Sequence, residues 1–140
     1  MISCDSILTV NRLQVEAMKQ TAERLRPQDE DSCKIFGIAV RNVQAALIHT
    51  YQIIASEAIR DADPAEAAKR WEYMEKFCDQ ALKVLKAYKD IYPYCGTPEL
   101  YNLALDYRLA ATDRLNENTQ DAEWLKTHPT RPAGLFQPVS

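Results

Sequence analysis

The stretch Asp63–Pro93, DPAEAAKRWEYMEKFCDQALKVLKAYKDIYP, decides the fold. Its first four residues spell a helix start. Asp63 is the cap, Pro64 occupies the first helical position without losing a needed N–H, and Glu66 stands in the capping-box position. The apolar residues Ala67, Trp71, Met74, Cys78, Ala81, Leu85, Tyr88 and Tyr92 then alternate at spacings of four and three. That is the seam of a helix packed along its length against neighbours. Glu72/Lys76 and Asp79/Lys83 form one-turn pairs outside the seam. Pro93 closes the segment.

The same reading extends in both directions. Toward the amino end, a helix over residues 29–62 follows an Asp29 cap, with Glu30 and Asp31 at the positive end of its dipole. Cys33, Phe36, Val40, Val43, Leu47, Tyr51, Ile54 and Ala58 share one face, and Lys34, Arg41, Asn42, His49, Gln52, Ser56 and Arg60 share the other. Ile35, Ile38, Ile48, Ile53 and Ile59 fall outside the main stripe. This helix carries more apolar surface than one neighbour covers, so it is expected to be central or to meet a partner. Before it, residues 5–26 place Leu8, Asn11, Val15, Met18, Ala22 and Leu25 on one face, with Pro27 as the stop.

Toward the carboxyl end, Thr97-Pro98-Glu99 repeats the cap, proline and acid signature. Leu100, Ala104, Tyr107, Ala111 and Leu115 form the inward face. Asn116-Glu117-Asn118-Thr119 reads as a break, and Thr119 as the cap of a short fifth helix with Trp124 and Leu125. From His128 three prolines and a glycine predict an extended tail, whose Leu135 and Phe136 are free to dock. The expectation is an all-α chain: an antiparallel up-down four-helix bundle over 1–127 as one domain, and a tail over 128–140.

Composition narrows the function classes. The chain has 140 residues and a net charge of −3, with 17 basic and 20 acidic side chains. No basic block exists, so neither nucleic acid nor a membrane surface is an expected partner. A chain this long buries about 70% of its unfolded surface and needs no staple. No basic region followed by an apolar stretch marks the start, so no secretory leader is expected. Cys4, Cys33, Cys78 and Cys95 match no zinc spacing and are read as independent thiols, with Cys95 exposed to reaction in a loop. Free thiols fit a reducing, cytoplasmic setting.

Chemical motifs are sparse. His49 and His128 are the two histidines, too few for a three-histidine metal site, and no Glu stands three residues before either. Arg41 and His49 are about 80° apart around their helix, poorly placed to act together. Glu72, Glu75 and Asp79 share a face and are the candidate metal ligands of a metal-dependent hydrolase. No second acidic motif accompanies them, and neighbouring lysines favour a solvated, salt-bridged face. No cofactor is expected.

Two features point to binding. Tyr88, Tyr92, Tyr94, Tyr101 and Arg108 gather near the corner between the third and fourth helices, a candidate pocket for a small ligand. Ile35, Ile38, Ile53, Tyr94, Tyr101, Leu135 and Phe136 are candidate partner-binding residues. The leading expectation is a non-enzymatic protein-interaction module of adaptor, chaperone or inhibitor type that self-associates into a homo-oligomer. Asn11 inside an apolar stripe is expected to fix helix register.

Overall fold

A computed structural model describes residues 4–25, 30–61, 63–88 and 95–127. Four α-helices occupy them: α1 (Cys4–Arg24), α2 (Glu30–Asp61), α3 (Pro64–Tyr88) and α4 (Thr97–Thr127). No strand occurs among the described residues.

The start of α3 is the one the sequence specifies. Asp63 Oδ1 accepts hydrogen bonds from the backbone N–H groups of Ala65, at 3.1 Å, and Glu66, at 3.5 Å. The seam residues Ala67, Trp71, Met74, Cys78, Ala81 and Leu85 are all buried, joined by Phe77 and Val84. On α2, Phe36, Val40, Val43, Leu47 and Ile54 are buried as the stripe predicts.

All four helices contribute to one core. Its large members are Trp71, Phe36, Phe77, Met18, Leu47 and Ile54. Side-chain pairs tie successive helices together. Asn11 meets Thr50, Arg70 meets Glu57, and Arg108 meets Glu75 and Asp79. Among the described residues, α2 and α3 each touch all the other helices, whereas α1 and α4 do not touch. The pair α2–α3 is therefore the spine, with α1 on one side and α4 on the other.

Asn11 is buried and paired. Its Nδ2 donates to Thr50 Oγ1 at 2.8 Å, and both residues are buried. A slip of α1 against α2 strands both polar groups. Asn11→Ala leaves Thr50 without that donor, and urea unfolding is expected to show a loss of about 1–3 kcal/mol.

Two expectations are corrected. The break at 116–119 and the short fifth helix do not form, and α4 runs unbroken to Thr127. Asn118 Nδ2 donates to Arg114 O and Thr119 Oγ1 to Leu115 O, each one turn back. Those bonds satisfy the side chains inside the helix, so they do not cap a new one. The cysteines are not independent either. Cys33 and Cys95 form a disulfide that ties the start of α2 to the turn before α4. Gly96 in that turn has φ +81°, a left-handed conformation suited to glycine, and packs beside Val40. The predicted last turn of the third helix, with Tyr92, and the tail over 128–140, with Leu135 and Phe136, lie outside the described residues.

Candidate functional site

The outward face of α1 and α2 carries an open apolar surface. Between the two helices runs a groove of about 560 Å³ lined by Gln14, Ala17, Ala39, Asn42, Ala45, Ala46 and His49. Alanines keep it open, because a methyl group leaves the space a larger side chain fills. Exposed aliphatics stand one turn from these lining residues on both helices. On α1 they are Val10 and Leu13, the latter 62% exposed. On α2 they are Ile35 and Ile38, each just over half exposed. Ile53, the third isoleucine singled out in the sequence, is half-buried.

Past the first turn of α2, where Asp31 is exposed one turn before Ile35, the charged residues on this face are basic. Beyond Glu30 and Asp31 in its first turn, α2 carries no acidic residue before Glu57. Lys34 and Arg41 flank Ile38 at one-turn spacing, and both are exposed, as are His49 and Arg24 of α1.

The face opposite, on α4, has the reverse charge. Leu105 and Leu109 are exposed, the latter at 65%. Asp113 and Glu117 continue the same one-turn row, Asp106 lies beside it, and all three are exposed. Six acids and three bases give α4 a net charge of −3. Burial and the neighbouring Glu117 raise the Asp121 carboxyl above its ordinary value of 3.8.

Two of the three candidate metal ligands, Glu75 and Asp79, have other partners. Arg108 donates through Nη1 to Glu75 Oε2 at 2.6 Å and through Nε to Asp79 Oδ1 at 2.7 Å. It also contacts Thr112 Oγ1, which lies 2.7 Å from Glu75 Oε2. The hydrogen bond to Asp79 is the main reason the guanidinium pKa is raised. Glu75 and Asp79 thus act as a clamp between α3 and α4, and Glu72 is exposed. Among the described residues no cluster of three His, Cys, Asp or Glu is arranged to hold a metal ion. The neighbouring Cys78 is buried, and burial pushes its thiol up to about 12. A thiol held neutral in this way is a poor nucleophile.

Of the tyrosine corner, Tyr88, Tyr101 and Arg108 are among the described residues. Tyr88 Oη is 3.5 Å from Glu23 of α1, whereas the ring of Tyr107 stacks on Tyr51 of α2 at 4.6 Å. Tyr101 is half-buried against the core, Arg108 is engaged with α3, and Tyr92 and Tyr94 lie outside the described residues. A second groove, of about 350 Å³, lies between α1 and α3. Arg12, Lys19 and Lys83 rim it over Val15, Val84 and Ala87. Gln80 in its wall has a buried Oε1 with no hydrogen-bond partner.

The sequence exposed Ile35 and Ile38 because they fall off the stripe of α2. The same test applied to α1 and α4 would have found Val10, Leu13, Leu105 and Leu109, each a large aliphatic off its helix's inward row. Comparison with known proteins returns no match: no family model, no curated protein and no solved structure matches this chain.

Proposed function

We propose that the chain is an antiparallel up-down four-helix bundle that works as a non-enzymatic protein-interaction module, binding protein through the outward face of α1 and α2. The supporting observation is the continuity of Val10, Leu13, Ile35 and Ile38 with the alanine-lined groove. Four large aliphatics held in water around one open groove are the arrangement expected of a surface that another helix covers. The polar clusters of the interior serve packing. Arg108 joins two helices, and Asn11 sets register.

Ile38→Glu tests the reading. The side chain is 53% exposed, so the substitution leaves the core intact. A charge in the middle of a dehydrated contact is expected to weaken association at least tenfold in sedimentation equilibrium, with helicity unchanged by circular dichroism. Unchanged association removes this face from the interface.

A further inference from the structure

The groove face and the α4 face both expose aliphatic side chains and carry opposite charge, yet they lie on opposite sides of the molecule. The groove is flanked by Lys34, Arg41, His49 and Arg24, and α4 presents Leu105 and Leu109 beside Asp106, Asp113 and Glu117. No fold-preserving motion brings them together within one chain, because α2 and α3 stand between α1 and α4. We propose that the occupant of the α1–α2 groove is the α4 face of a second copy of this chain, giving a head-to-tail assembly. The inference rests on the α1–α2 interface proposed above and names its partner.

Electrostatics selects this pairing over the two symmetric ones. A two-fold contact through the groove sets Arg41, Lys34 and Arg24 against the same residues of the other copy. A two-fold contact through α4 sets Asp106, Asp113 and Glu117 against themselves. Like charges facing one another across an interface oppose both. The heterologous contact sets bases against acids and leucines against an apolar floor. Each copy then uses one groove and one α4, leaving one of each free at the ends. Such contacts propagate into an open series or close into a ring.

The test uses two surface variants of the full chain. Ile38→Glu disables the groove, and Leu109→Lys disables the α4 face by placing a base where the groove's own bases approach. Light scattering after size exclusion is expected to show the wild type as multiples of 16.0 kDa. Each variant alone is expected to be monomeric. An equimolar mixture is expected to yield a 1:1 dimer and nothing larger, because each variant retains one working surface and the two complement each other. Ile35→Glu and Leu105→Lys are expected to repeat the pattern, which guards against a local folding defect in either first variant.

A wild type that stays monomeric across a dilution series overturns the proposal. So does association that survives Leu109→Lys but not Ile38→Glu. That result points to a different seat for the partner and leaves the interaction reading of the groove standing. Association that survives Ile38→Glu defeats both readings.

Discussion

Replacing Arg70 with Met is expected to lower the unfolding free energy by about 3–5 kcal/mol, the usual cost of stranding one member of a buried ion pair. Arg70 Nε lies 3.3 Å from Glu57 Oε2, and both side chains are about nine-tenths buried. The pair sits across the junction where α2 ends and α3 begins. Removing the guanidinium leaves the Glu57 carboxylate enclosed without its counter-charge. The chain must then either protonate that carboxylate or open the junction to water. Urea unfolding of the single variants and of Glu57→Leu/Arg70→Met separates the possibilities. The double variant is expected to recover most of the loss, because no charge is then left buried and unpaired. A double variant as unstable as Arg70→Met alone shows that the guanidinium acts through other contacts.

What the sequence made legible was local. The start of α3 could be read because Asp63, Pro64 and Glu66 act within one turn, where spacing alone fixes geometry. The seam of α3 could be read because an isolated helix already places Trp71, Met74 and Cys78 on one side. Asn118 and Thr119 defeated the same logic. Their side chains bond equally well to a following N–H, ending a helix, or to a preceding carbonyl, continuing it, and the choice depends on how α4 packs. The acidic row of Glu72, Glu75 and Asp79 was visible, but Arg108, which binds two of its members, comes from another helix. Spacing within α3 carries no trace of it.

The binding face shows the same division. Ile35 and Ile38 declared themselves as surplus on α2, since one helix face holds only so many core residues. Their relation to Val10 and Leu13 depends on how α1 lies beside them, where Asn11 meets Thr50. The opposition between a base-flanked groove and an acid-flanked α4 needs the arrangement of all four helices. Segment-by-segment charge reports the excess on α4, but it cannot say which side of the molecule that excess occupies.

Reduction of the Cys33–Cys95 disulfide is expected to cost about 4 kcal/mol, the chain entropy released when a closed loop of this length opens in the unfolded state. The two cysteines are 62 residues apart, and the loop they close contains most of α2 and all of α3. For a chain of this size, a loss of that order lowers the thermal midpoint by on the order of 10–15 °C. The bond also fixes the turn at Cys95 and Gly96 against α2, beside Gly37 and Val40. The helices themselves remain, because their caps and seams do not depend on it. Calorimetry with and without a thiol reductant, and on Cys33→Ala/Cys95→Ala, measures the effect. The double variant is expected to match the reduced wild type and to be insensitive to reductant. Equal midpoints for oxidised and reduced wild type overturn the prediction. The pairing also removes the ground on which a reducing compartment was expected, since that expectation assumed four independent thiols. Alkylating the protein as it leaves its own host, then weighing it, decides the matter directly. A chain with Cys33 and Cys95 blocked from alkylation was oxidised in place, and one with both labelled was not.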